Sequence, residues 1–238
     1  MKRPAIRTAR TVIPLRAALK ENVEHFWEIV QGEPEWFEIR RGLPTASVMK
    51  TVMARGQDGG ESKTRQRLLY RLAAEIINEE PVATYENDYM RRGRTMEAAA
   101  LDDYAFTRAV EIKRVGFVRR TIADPLFGEL VIGASPDGLI GDDGAVQTKT
   151  MEPDLICELV DSGRVPSEHR AQCQTELWVT GRQWCDLKIF FTGSKLSPVF
   201  RFTRDDHYIA TELKPAAERF TFELRDLVKR LKMKGGLK

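Results

Sequence analysis

The amino-acid sequence predicts an α/β (α+β) domain: helices first, then a mixed sheet, a helix, more strands and a closing helix. Three observations carry this prediction. Leu68, Leu69, Leu72, Ala73, Ile76 and Ile77 recur at the spacing of one helical face. The middle of the chain, "LFGELVIGASPDGLIGDDGAVQTKT", reads as strands around a Gly/Asp turn. "QWCDLKIFFTG" has the apolar density of a strand covered on both faces. A length of 238 residues fits one domain over 1–238, with a basic extension over about 1–20 and a C-terminal helix over about 205–234.

The elements follow in order. "RAALKENVEHFWEIVQ", residues 16–31, places Leu19, Val23, Phe26, Trp27 and Val30 on one helical stripe, and "GEP" ends it. "EWFEIRRGLPTASVMKTVMA" predicts a short helix, a turn at Gly42-Leu43-Pro44, and a second helix capped by Thr45 or Ser47. Residues 55–63, "RGQDGGESK", read as a flexible loop. Helices are expected over 64–79 and 90–107, the latter with Gly93 and alanines for close packing. "AVEIKRVGFVRR" reads as a strand, and the Gly/Asp-rich segment after it as two. A helix over 167–180 precedes the strands "QWCDLKIFFTG" and "SPVFRFTRD". Asp205 or Asp206 is placed to cap the last helix, which Pro215 interrupts or kinks.

Composition narrows the function classes. There are 38 basic and 35 acidic residues, and a net charge of +3 does not by itself imply a polyanion partner. Charge placement is more informative. Residues 2–20 carry Lys2, Arg3, Arg7, Arg10, Arg16 and Lys20 and no acid, and Lys229, Arg230, Lys232, Lys234 and Lys238 crowd the other end. Such ends suit a phosphate backbone, although solvated termini are the plainer reading. Cys157, Cys173 and Cys185 have no metal-ligand spacing and fit a reducing cytoplasm; His25, His169 and His207 are scattered. The chain shows no apolar run of membrane-spanning length and no secretory signal.

The chemistry points to "VIGASPDGLIGDDGAVQTKTME". Phosphodiester hydrolysis needs a divalent ion to activate water and neutralise charge, and hard Mg²⁺ takes oxygen ligands. Asp137 ends one strand. Gln147 and Lys149 alternate onto one face of another, while Thr148 turns away and offers its carbonyl. Alone, this pattern is weak, since Asp-Gly is usually a turn and a strand lysine is usually solvated. Glu97 adds a carboxylate if its helix faces the hairpin; otherwise it meets solvent. Arg40 suits a phosphate clamp or an exposed helix face, and Trp36 the core or stacking on a duplex end. Ser135 suits a phosphate oxygen or a turn, and Gln172 the site or the surface, with Gln174 pointing elsewhere.

Taken together and in order, "EWFEIRRGLPTAS", "RRGRTMEAAALDDY", "ASPDGLIGDDGAVQTKT" and "AQCQTELWVTG" resemble the bacteriophage lambda exonuclease family, the YqaJ-type viral recombinase nucleases of the PD-(D/E)XK group. The resemblance spans about residues 30–190 and rests on the ordered set. It implies a restriction-endonuclease-like core, a central mixed sheet flanked by helices. It implies Mg²⁺, with Mn²⁺ as substitute, at two ions per site. The activity implied is digestion of one strand of duplex DNA from its 5′ end by a ring-shaped homotrimer that works with a single-strand annealing protein. A cytoplasmic phage or prophage protein is the matching setting. By the same resemblance Arg40 lies near the terminal phosphate and Ser135 touches DNA. Asp137 is the shared metal ligand, Glu97 binds the second ion, and the Thr148 carbonyl faces metal. Lys149 is the core lysine and Gln172 the active-site glutamine.

Gln147 departs from this pattern, which has glutamate there. Glutamine keeps the shape and an amide oxygen but loses the charge. Three readings are open: an active variant relying on Glu97, Asp137 and backbone oxygens; a substitution made to trap DNA and metal uncut; and a degenerate protein that grips duplex ends. Glu152 and Asp154 are candidates for a carboxylate that has moved, with Pro153 between them.

Overall fold

The computed structural model describes residues 21–56, 60, 62–82, 88–124 and 128–237. The basic N-terminal segment expected over 1–20 and part of the 55–63 loop lie outside the described residues. Two sheets frame the chain. β1 (Glu21–Phe26), β2 (Phe117–Asp124) and β3 (Gly128–Ala134) form an antiparallel sheet in that order. β4 (Gly138–Ile140), β5 (Gly144–Thr150), β6 (Trp184–Phe190) and β7 (Val199–Thr203) form the second. This sheet is mixed: β5 and β6 run parallel and the outer pairs antiparallel.

Helices cover both. α1 (Pro34–Arg40) leads through a turn at Gly42, whose φ of +69° suits glycine, into a 3₁₀ turn at Ala46–Val48 and α2 (Met49–Val52). The Gly42 amide donates to buried Glu75 on α3 (Lys63–Asn78), at 2.8 Å. α4 (Asp88–Arg108) lies against one face of the mixed sheet, where Leu101 and Tyr104 meet Ile140 and Val146. The main core lies on the opposite face. There α6 (Arg170–Thr180) packs Cys173, Leu177 and Val179 with Ala145, Cys185, Leu187 and Ile189. α8 (Lys214–Lys234) buries Phe220 and Leu224 in the same core, beside Leu68, Leu69 and Leu72 of α3.

Four expectations require correction. The helix predicted over 16–31 is a strand where it is described: Glu21 to Phe26 pair with Ile122 to Phe117. Arg119 holds Glu24 at 2.9 Å and Arg120 holds Glu21 at 2.5 Å, cross-strand partners that no helical stripe reveals. Trp27 and Val30 are correspondingly exposed. The strand expected from residue 109 begins only at Phe117; before it, Ala109 takes a φ of +50° and Lys113 makes an isolated bridge to Leu139. The segment read as two strands holds three, because Ser135-Pro136-Asp137 carries the chain from one sheet to the other. α5 (Pro153–Ser162) was not foreseen, although Pro153 in its first turn and Gly163 after its end are ordinary helix signals. In the C-terminal helix, Asp205 caps Tyr208 N at 2.9 Å. Pro215 opens α8 directly after a π-helical stretch at Ile209–Leu213, where its missing N–H costs little.

Candidate active site

Asp137 stands where the chain leaves the first sheet, one residue ahead of β4. A Cβ on the following Gly138 would run into Ile112, so the backbone there is fixed by close packing. The Asp137 side chain is buried, and its Oδ2 accepts three hydrogen bonds from β5: Gln147 Nε2 at 2.9 Å, Thr148 N at 2.6 Å and Thr148 Oγ1 at 2.7 Å. Oδ1 has no hydrogen-bond partner among the described residues. β4 pairs with β5 only as far as Val146, which frees the next part of that edge for Asp137. In an extended strand a residue's N–H and C=O point the same way, so the Thr148 carbonyl lies on the Asp137 side.

Gln147 is also buried. Its amide nitrogen serves Asp137, and its Oε1 is left with no partner among the described residues. An orphaned buried acceptor is costly and calls for a ligand or an ordered donor. Lys149 lies on the same face of β5, and no ion pair engages it among the described residues.

A single cleft, about 2490 Å³ of space open to solvent, is lined by Trp36, Arg40, Ser135, Gln147, Lys149 and Gln172. Trp36 Nε1 donates to Ser135 Oγ at 2.9 Å and to the Gly116 carbonyl at 3.1 Å. The Arg40 guanidinium lies 3.6 Å over the Trp36 ring and reaches Thr45 and Ser47, each at 3.4 Å. Burial, then the charge of Arg71, lowers its pKa to about 10, which leaves it cationic at neutral pH. A cationic, planar donor stacked on an indole at the mouth of a cleft is suited to a phosphate.

Glu97 does not line this cleft. It pairs with Arg114 at 3.0 Å. Burial, then the charge of Asp137, raises its pKa to about 7, against the pull of Arg114 and Lys149, so it is electrostatically tied to the site. Gln172 turns its amide nitrogen to Glu176 Oε1 at 2.9 Å, and Gln174 points away to Thr203. Glu152 opens α5 and Asp154 is exposed in its first turn; neither lines the cleft.

Glu176 was missed by the sequence reading. It lines the cleft at 1% exposure, and burial, reinforced by Asp137, lifts its pKa to about 8. The available signal was its spacing: four residues after Gln172 puts both on one helix face, amid Leu177, Trp178 and Val179. Arg71, Glu75 and Arg114 also surround the site without having been singled out.

Among the described residues no three His, Cys, Asp or Glu side chains form a metal cage, and no helix is long and apolar enough to cross a membrane. The donors at Asp137 are instead a carboxylate, an amide oxygen and a backbone carbonyl. An all-oxygen set of this kind fits a hard cation, and the orphaned Gln147 Oε1 is the atom such a cation would satisfy.

Comparison with known proteins gives the family and the fold. Residues 35–183 match the model of the YqaJ-like viral recombinase domain. The alkaline exonuclease LHK-Exo of Laribacter hongkongensis is 29% identical with a TM-score of 0.72, over 86% of this chain and 98% of that one. Its complex with dAMP matches at 30% identity with the same score and coverage. A phage-related exonuclease of Haemophilus somnus 129PT, at 14% identity and a TM-score of 0.52 over 77% and 95%, shares the fold. No curated protein matches the chain. With the mixed sheet, the Asp137–Lys149 hairpin and a family match covering most of its length, the chain belongs to the YqaJ-like viral recombinase and exonuclease family of PD-(D/E)XK nucleases.

Proposed function

We propose that the chain is a Mg²⁺-dependent exonuclease that digests one strand of linear duplex DNA from its 5′ end, leaving a 3′ single-stranded tail for recombination. The observation that carries this is the gathering of Trp36, Arg40 and Ser135 with Gln147 and Lys149 along one cleft, with Asp137 bonded to its wall. Asp137, Gln147 Oε1 and the Thr148 carbonyl would hold one ion, and Asp137 with Glu97 a second. Such an ion, Mg²⁺ or Mn²⁺, lowers the pKa of water and offsets charge on the phosphate. Arg40 binds the terminal phosphate by charge-assisted hydrogen bonds, with the Trp36 ring holding the guanidinium in place. Ser135 Oγ, already accepting from Trp36, keeps its own proton for a phosphate oxygen. Lys149 offers a cationic N–H group to the attacking water or the phosphate, and Gln172 on the cleft wall holds Glu176 through its amide nitrogen.

The test is digestion of end-labelled duplex with Mg²⁺ and with EDTA. Linear DNA with 5′-phosphate ends should shorten to mononucleotides from the 5′ end only with Mg²⁺, while a closed circle stays intact. Cutting of the circle, or release from the 3′ end, would overturn the reading. The family resemblance adds a ring-shaped homotrimer and a single-strand annealing partner. Light scattering should then give three times the chain mass of 27.1 kDa.

One observation favours a second reading, a protein that grips duplex ends without cutting: Gln147 spends its amide N–H on Asp137 and brings no negative charge to the site. Comparing the chain with its Gln147→Glu variant separates the two. Cutting by the variant alone supports the binding protein, and cutting by both supports the exonuclease.

A further inference from the structure

A carboxylate as deeply buried as Glu176 is normally paired with a cation, because taking it out of water costs several kcal/mol. Glu176 has no such pairing. Its hydrogen-bond donors are the neutral Gln172 amide at 2.9 Å and, weakly, the Cys185 thiol at 3.8 Å, and no Lys, Arg or His forms an ion pair with it among the described residues. The second observation is independent. Gln147, 5% exposed, lines the same cleft with an amide oxygen that no donor among the described residues reaches. Strand register relates the two. Gln147 is paired with Leu187 and Ala145 with Cys185, so Cys185, the thiol against Glu176, lies on the Gln147 face of the sheet. Position 147 lacks the charge that the Glu-x-Lys pattern supplies, and α6 brings a carboxyl group to the same face of the sheet and the same cleft.

We propose that Glu176 is this chain's relocated metal-site carboxylate: it supplies from α6 the charge that Gln147 does not, to a divalent cation held by Asp137 and the Gln147 amide oxygen. The inference rests on the nuclease reading for its metal, though not for cutting. It accounts for Gln147 without loss of function, since an amide oxygen still ligates a hard cation when the charge comes from elsewhere. Gln172, on the wall of the same cleft, then positions Glu176 through its amide nitrogen.

The test is Mn²⁺ binding by the full chain without DNA, read from the electron spin resonance of free Mn²⁺. The variants are Glu176→Gln, Gln147→Glu, the two combined, and Asp154→Asn as a control outside the cleft. Glu176→Gln should weaken Mn²⁺ binding by about 10–100-fold, the scale for losing a group that supports a metal. Asp154→Asn should change nothing, and the combined variant should recover most of the lost affinity. Melting in EDTA checks folding: Glu176→Gln should melt no lower than the unaltered chain, because a neutral amide of the same shape replaces a buried acid that no cation compensates. Unchanged Mn²⁺ affinity in Glu176→Gln, or no recovery in the combined variant, would overturn the proposal. Linear-duplex digestion by the unaltered chain is measured beside it. Digestion with no role for Glu176 in Mn²⁺ binding would sink the relocation and leave the nuclease standing. Mn²⁺ held through Glu176 without any digestion would uphold the relocation and sink the exonuclease.

Discussion

Gln147 and Asp137 illustrate how one atom can set the state of a site. The amide N–H at 2.9 Å neutralises nothing, but it gives the Asp137 carboxylate a donor that a glutamate could not. Gln147→Glu would remove that donor and set two acids side by side. In EDTA the variant should lose about 1–3 kcal/mol of stability, the cost of a buried polar group losing its partner, and should regain it with Mn²⁺; thermal melts with and without the ion check both halves. Glu97 and Glu176, with pKa values raised to about 7 and about 8, give a pH signature of definite sign. Each binds a proton more tightly folded than unfolded. Their contribution to stability is therefore fully present below the usual glutamate range and is lost as pH rises through 7 and 8. Urea melts of the metal-free chain should show its stability falling between pH 5 and pH 9, with a smaller fall in Glu176→Gln. Arg40 makes a separate prediction. Arg40→Lys keeps the charge and loses the planar fork, so digestion of 5′-phosphate ends should slow by about tenfold or more, from the roughly 1.5–3 kcal/mol of a hydrogen bond to a charged group. Ends with a 5′-hydroxyl should be affected less.

At the scale of elements, α4 is tied to the sheet by polar bonds at its C-terminal half. Tyr104 O–H donates to buried Asp186 of β6 at 2.7 Å, Arg201 of β7 holds the same carboxylate at 2.7 and 3.0 Å, and Lys188 reaches Asp103 at 2.5 Å. Glu97 lies two helical turns before Tyr104, so these ties set where it stands. Tyr104→Phe should cost about 1–3 kcal/mol in urea denaturation, since Asp186 loses a donor while staying buried. Asp186→Ala should cost about 1–3 kcal/mol, because the Tyr104 O–H loses its acceptor while Arg201, 54% exposed, returns to water. Elements with a strong internal period were legible from sequence: α3 through its leucine face, α6 by its length, β6 by its apolar run. β1 was not, because "ENVEHF" satisfies helical and strand spacing alike and the deciding partners, Arg119 and Arg120, lie almost a hundred residues away. The hairpin motif showed which polar residues share a strand face. It could not show that Glu97 would be paired to Arg114, nor that the deepest carboxylate in the cleft would come from α6.

For the molecule as a whole, the site lies on the seam between two sheets. Ser135-Pro136-Asp137 crosses it, Gln31 Nε2 clamps the crossing by donating to the Val115 and Pro136 carbonyls at 3.0 Å each, and Thr45 bridges to Gly133 beside it. Behind this, α8 braces α3 through buried Phe220 and the 2.6 Å Arg65–Glu223 pair. Phe220→Ala should remove about 3–5 kcal/mol by opening a cavity under both helices, measured by chemical denaturation. The seam also governs the order in which the protein can become dangerous to DNA. Its cleft draws on residues from Gln31 to Glu176, that is, from the turn before α1 to α6. During synthesis the phosphate clamp emerges first and the helix bearing Gln172 and Glu176 last. A ribosome that stalls before α6 therefore leaves a fragment carrying the hairpin motif and no finished cleft, so the motif alone does not make the site and its assembly waits for α6.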